Sequence, residues 1–175
     1  MSLLRFLGIG GDAGRGARDA ETDTVRRIAG QLERLEAEQA KYLAAFAYVL
    51  ARVAHADLDV DDSEVAAMER SVAGLAQLSQ AEAALVVQIA VSQARLLGGT
   101  ENYVVTREFR RISSKEQRGR LLDCLFAVAA ADGTISGSES SEIAAIGEEL
   151  GFTRAEVNSL RSRYREHLAE LKTQT

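Results

Sequence analysis

Asp57, Asp59, Asp61, Asp62 and Glu64 crowd five carboxylates into the eight residues 57–64. Like charges packed this closely repel, and a hard divalent cation such as Ca²⁺ or Mg²⁺ would relieve the repulsion through oxygen ligands. A second stretch, Asp132-Gly133-Thr134-Ile135-Ser136-Gly137-Ser138-Glu139, repeats the spacing from first Asp to last Glu. An acid, a Gly for a sharp turn, an apolar plug and a closing Glu make up the back half of a calcium-binding loop. The front half is absent, because Val128 and Ala130 stand where its first two acids belong. A complete EF-hand is excluded, and any ion must recruit ligands from elsewhere. The candidate metal ligands are Asp57, Asp59, Asp61, Glu64, Asp132 and Glu139. A structural role accounts for the same residues: Asp61 and Glu64 can cap a helix, and acids near a helix N-terminus favour its dipole. One carboxylate can serve both ends.

Other reactive side chains are better read as ordinary ones. His55 neighbours Asp57 and Asp59, but with no second His nearby it reads as an interhelix residue rather than a ligand. His167 reads as solvated on the outer part of the last helix. Cys124 falls on an apolar helical stripe and reads as a packing thiol rather than a reactive one. Gly8, Gly10, Gly11, Gly14 and Gly16 follow no strand and lack a Lys-Ser/Thr ending, so they suit a flexible tail, not a phosphate loop. Arg107, Arg110, Arg111, Lys115, Arg118 and Arg120 form a basic stretch broken by Glu108 and Glu116, which reads as a solvated helical surface. No nucleophile–base arrangement surrounds either His, and no enzyme activity is expected.

The elements that must hold the acidic loops are all helical. Val25, Ile28, Leu32 and Leu35, then Tyr42, Phe46, Val49 and Val53, recur at steps of three and four. They describe either one long helix or two joined near residues 36–39. Five capping boxes follow, each a Ser, Thr or Asp with Glu three residues on: Asp61/Glu64, Ser79/Glu82, Ser113/Glu116, Ser136/Glu139 and Thr153/Glu156. Each opens an apolar stripe, the last running through Val157, Leu160, Tyr164, Leu168 and Leu171. A shorter helix is predicted around Val104 to Ile112, and stops at Gly98-Gly99 and Gly151. No segment alternates with period two, so no strand is predicted. The chain contains no proline, which leaves its helices free to run long.

The two acidic stretches belong to a larger repeat. At an offset of 75 residues Val60 meets Ile135, Ser63 meets Ser138, Glu64 meets Glu139, Met68 meets Ile143 and Leu75 meets Leu150. After a one-residue gap, Leu78-Ser79-Gln80-Ala81-Glu82 meets Phe152-Thr153-Arg154-Ala155-Glu156. The predicted fold is therefore all-α, a compact bundle of about seven helices from two pseudo-symmetric helix–acidic loop–helix repeats. A flexible tail over residues 1–22 precedes a helical domain over 23–172, with halves near 40–97 and 114–170.

Composition narrows the partners. The net charge of −5 and the absence of aromatics among the basic residues argue against nucleic acid. No run approaches the ~18 apolar residues of a spanning helix, and the N-terminus lacks the pattern of a signal peptide. A single cysteine fits a reducing compartment. A cytoplasmic chain is expected.

The stretch Cys124 to Leu150, with its Ala130-Ala131-Asp132-Gly133-x-Ile135 core and Glu139 seven residues after Asp132, resembles the TerB-like tellurite-resistance family. Ser114-Lys115-Glu116-Gln117-Arg118 before it and Leu150-Gly151-Phe152 after it extend the match to roughly residues 45 to 165. The resemblance implies an all-helical fold of two pseudo-symmetric halves, acidic surface loops that bind divalent metal, and a role in bacterial stress responses. It places Asp57, Glu64, Asp132 and Glu139 on the family's acidic motif, with Asp59 and Asp61 as nearby additions. Leu58 stands where the first loop usually has Gly. Family members act beside membrane proteins or as the first domain of co-chaperones; a His-Pro-Asp J-domain signature cannot exist here without proline. The expected role is a non-catalytic, cation-binding interaction module whose partner is a protein, a membrane protein met at the cytoplasmic face of the inner membrane or a second copy of the chain. The alternative is a metal-free helical adaptor whose acids only cap helices.

Overall fold

The computed structural model describes residue 23 and residues 26–53, 62–96, 102–131 and 133–172. The chain divides into two compact units, residues 1–41 and 42–175. Among the described residues there are eight α-helices and no strand: α1 (Ala37–Ala51), α2 (Asp62–Ala76), α3 (Gln80–Leu96), α4 (Asn102–Ile112), α5 (Lys115–Ala129), α6 (Gly137–Glu149), α7 (Arg154–Arg161) and α8 (Ala169–Lys172). A 3₁₀ turn, Ser162–His167, joins α7 to the segment before α8. The all-α prediction holds.

In the first unit, residues 26–32 are helical, with Ile28 and Leu32 buried. The helical period does not continue unbroken into α1. Arg34 and Leu35 donate to the Gln31 and Leu32 carbonyls, three residues back, which tightens and ends the turn. Ala40 donates to the Glu36 carbonyl as α1 begins.

In the second unit, every residue from Tyr42 to Val53 is buried. A helix apolar on all faces must be surrounded, and α1 is the central one. Tyr42 and Phe46 meet Phe109 of α4 at ring-centroid distances of 5.4 and 5.9 Å, the second edge-on. α2 packs on α3 and α5, and α6 packs on α4, α5 and α7. The predicted stripes supply this core: Met68, Val72, Leu85, Ile89, Leu121, Leu122, Leu125, Ile143, Ile146, Leu150 and Val157 are all buried.

The capping boxes at Ser79/Glu82, Ser136/Glu139 and Thr153/Glu156 form as predicted, each with reciprocal backbone bonds. The box at Asp61/Glu64 and the stop at Gly98-Gly99 lie outside the described residues. The box predicted at Ser113/Glu116 is shifted by one residue. Ser114 caps α5 with Gln117 as its reciprocal partner, while the Ser113 hydroxyl donates back to the Phe109 carbonyl at the end of α4. Both pairs satisfy the sequence rule; the preceding helix claims Ser113 and leaves the cap to its neighbour.

α2 and α6 end alike. Beyond α6, Gly151 adopts φ +88° and Phe152 donates to the Gly147 carbonyl five residues back. Beyond α2, Gln77 adopts φ +55° and Leu78 donates to the Ala73 carbonyl. This left-handed closure satisfies orphan carbonyls at a helix end. Gly151 suits it for a second reason: the Arg110 guanidinium lies about where a β-carbon would sit, at 2.9 Å.

The continuous last helix predicted from the Thr153 stripe is not present. α7 stops at Arg161, Tyr164 is non-helical at φ −108°, ψ 17°, and Leu168 is extended. Ile135 donates to the His167 carbonyl at 2.7 Å and accepts from the Ala169 N–H at 3.0 Å, a single parallel β-bridge with Leu168. Ile135 and Leu168 are both buried. Pairing with the 133–136 loop outcompetes one more turn of helix.

Candidate functional site

Of the six candidate ligands, only Glu139 has a described side chain. Asp57, Asp59, Asp61 and Asp132 lie outside the described residues, as does the Glu64 side chain within α2. Glu139 is at the first turn of α6, where its Oε2 accepts from the Ser136 N–H and hydroxyl at 2.8 and 2.7 Å. Both bonds fall on one oxygen; no hydrogen bond to Oε1 exists among the described residues. The described residues contain no group of three or more His, Cys, Asp or Glu able to hold a metal ion.

The most connected polar centre in the second unit involves none of these residues. Arg52 is the sole charge between Tyr42 and Val53, and its side chain is 7 % exposed. A guanidinium brought into a core must find partners for its donors. Its Nε and Nη2 both reach Glu142 Oε1, at 2.9 and 2.7 Å, and its Nη1 reaches Glu149 Oε2 at 2.6 Å and the buried Thr106 hydroxyl at 2.8 Å. Glu142 and Glu149 are two helical turns apart on one face of α6. Burial alone would lower the Arg52 pKa, but the hydrogen bonds from Glu149 and Glu142 outweigh it and hold the group above its ordinary value. The cluster ties the end of α1 to α4 and α6. A charge isolated in an apolar helix was its signal in the sequence; which acids answer it could not be read there.

The basic stretch faces its own chain. Arg107 lies over the Tyr103 ring, Arg111 pairs with Glu108, Lys115 with Glu156 and Arg120 with Glu116. Arg110 and Arg118 reach the carbonyls of Glu149 and Leu150, at 3.5 and 2.6 Å, and so cap the C-terminal end of α6, where positive charge suits the dipole. Lys115 beside Glu156, with the Thr153 cap, holds the Glu156 carboxyl down at about 2.

Cys124 is fully buried, and burial pushes its thiol up to about 12. It is a packing group and carries no thiolate at neutral pH. His55 lies outside the described residues. His167 differs from its prediction: it is in the 3₁₀ turn, partly buried, with Nδ1 3.4 Å from the Gly133 carbonyl oxygen. No described helix is long and apolar enough to cross a membrane.

Residues 43–162 match the family model described as tellurite resistance protein TerB. The chain belongs to the TerB family. The match covers more than half of the chain and takes in α2 to α7, both acidic stretches and the Arg52 cluster. No curated protein and no solved structure matches the chain. Family membership brings the resemblance read from Asp132-Gly133 and its flanks onto firm ground; it assigns no ligand to any residue.

Proposed function

We propose that this TerB domain is a non-catalytic interaction module whose acidic loops take a divalent cation, Ca²⁺ or Mg²⁺, and thereby set a docking surface for a protein partner in bacterial stress or tellurite resistance. The carrying observation is the Asp-to-Glu spacing shared by residues 57–64 and 132–139, with Glu139 bonding the Ser136 cap through Oε2 alone. Such a carboxylate can close a helix and still offer its second oxygen to an ion. The proposed partner is a protein, a membrane protein on its cytoplasmic side or a second copy of the chain, and the proposed place is the cytoplasm or the inner-membrane surface.

The reading includes duplication of one helix–acidic loop–helix unit. Three features support it. α2 and α6 close through the same left-handed residue and apolar successor. Each is followed by a capping box, at Ser79/Glu82 and Thr153/Glu156. Val49 and Cys124, equivalent at the 75-residue offset, are both fully buried.

A metal-free adaptor is the competing reading, favoured by the complete capping box that Glu139 forms. Glu139→Gln separates the two, because glutamine keeps the reciprocal cap and removes the charge. Calorimetric titration with Ca²⁺, Mg²⁺ and Mn²⁺ should give saturable heat for the native chain and at least about tenfold weaker binding for Glu139→Gln. Absence of heat from any of the three at millimolar concentration refutes the cation and leaves the adaptor.

A further inference from the structure

The C-terminal segment differs from the rest of the second unit in how it is held. Six residues of 3₁₀ helix, Ser162–His167, are longer than that poorly bonded geometry usually runs, and such stretches mark hinges. Within them Tyr164 leaves helical geometry altogether. On the near side of this kink the segment is anchored to α5: Tyr164 stacks on Phe126 at 5.5 Å, its hydroxyl donates to the Asp123 carbonyl at 3.1 Å, and Arg163 pairs with the Asp123 carboxylate. On the far side the described attachment is to the 133–136 loop. Leu168 is buried, its neighbours exchange the two backbone bonds with Ile135, and the His167 ring faces the Gly133 carbonyl. Beyond that point α8 is a single turn, and Leu171 on it is 43 % exposed.

We infer that residues 165–172 form a strap that opens about the Tyr164 kink as a unit separate from global unfolding, and that its docking through Leu168 holds the 133–136 loop, and with it the approach to the Ser136 cap of α6, in a single conformation. Ile135 cannot keep both of its backbone groups bonded in this buried place without the strap, and an unpaired buried amide is costly. Strap and loop therefore share one opening equilibrium. Any partner or ligand that reshapes the loop shifts the strap, and anything that grips the strap shifts the loop, by linkage. The inference needs no ion in the acidic loops and stands apart from the proposal above.

Ala169→Pro is the selective probe. It removes the N–H that bonds the Ile135 carbonyl, while proline is at ease in the first position of a helix and Leu168 already holds the extended backbone that a following proline requires. In the full chain at low denaturant, hydrogen exchange of the Ile135 and Ala169 amides should proceed through the same opening, more readily than exchange at Leu125 in α5. In Ala169→Pro, exchange at Ile135 and trypsin cleavage after Arg165 should each rise about tenfold, the worth of one hydrogen bond, with Leu125 unchanged. Leu168→Asp, which expels the buried side chain, should raise both further. Faster cleavage with unchanged exchange at Ile135 would mean that the loop holds itself and would overturn the coupling. Exchange of Ile135, Ala169 and Leu125 at one common rate in the native chain would overturn the strap.

Discussion

Arg52 Nη1 and Glu149 Oε2 lie 2.6 Å apart, one at the end of the central helix and the other at the end of α6, 97 residues on. A charge so placed is worth little as a source of net stability, because desolvation offsets attraction, but removing one partner strands the other. Arg52→Ala is expected to cost ~3–5 kcal/mol in urea unfolding. Arg52→Lys should recover only part of this, since an ammonium cannot span both glutamates in the forked geometry. Glu149→Gln, at an 18 % exposed side chain, should cost more than Glu142→Gln, at 37 %. The reverse order would show that the cluster is held mainly through Glu142.

The start of α5 tests the cap register. Ser114→Ala should cost about 1 kcal/mol, the usual worth of an N-cap hydroxyl. Ser113→Ala should cost less, because that hydroxyl bonds only the Phe109 carbonyl. Chemical denaturation of the two variants decides between the registers.

Close approach of α6 and α7 is expected to depend on Gly147. A β-carbon there would meet Val157 Cγ2 at 2.6 Å, inside any real contact. Gly147→Ala gains about 1 kcal/mol of helix propensity but overpacks a buried seam, which costs ~1–3 kcal/mol. Net destabilisation is expected, with Val157→Ala relieving it in the double variant. Additive losses in that cycle would mean the two side chains do not meet.

The buried thiol makes a prediction about reactivity and alkaline pH. Cys124 should resist iodoacetamide at pH 8 in the folded chain and react once unfolded. Its folded pKa, at about 12, lies above the ordinary 9.0, and Tyr42 is likewise raised by burial to about 12. Above pH 9 the unfolded chain therefore sheds these protons first, and stability should fall as pH rises from there. A flat denaturation midpoint between pH 8 and 11 would contradict this.

At the acid end the sign reverses. Lys115 and the Thr153 cap hold the Glu156 carboxyl at about 2, below its ordinary 4.5. Its contribution is complete above pH 4.5 and is lost as pH falls toward 2. Lys115→Ala should flatten the stability profile over that window, measured by denaturation at stepped pH; an unchanged slope would show that the pair contributes nothing.

Local signals made most of the helices legible from residues alone. A capping box and an apolar stripe are both encoded within four to eight neighbours, so α3, α6 and α7 begin where Ser79, Ser136 and Thr153 say they should. The same locality explains the slip at α5, where two overlapping boxes satisfy one rule and only the hydrogen bond from Ser113 back to α4 separates them. Family membership was also readable, because Asp132-Gly133 and its flanks form a contiguous motif.

Pairings between distant segments were decided by the tertiary structure. Nothing near Arg52 in sequence names Glu142 and Glu149 as its partners; packing of α6 against α4 and the buried α1 does so, because a desolvated guanidinium takes whichever carboxylates the fold brings within reach. Nothing in the Val157–Leu171 stripe announces that it breaks. Helical periodicity records which residues are buried, and Leu168 is buried whether it continues a helix or bridges Ile135. The choice between those states rests on the backbone groups of Ile135, which lie more than thirty residues away and have to be satisfied.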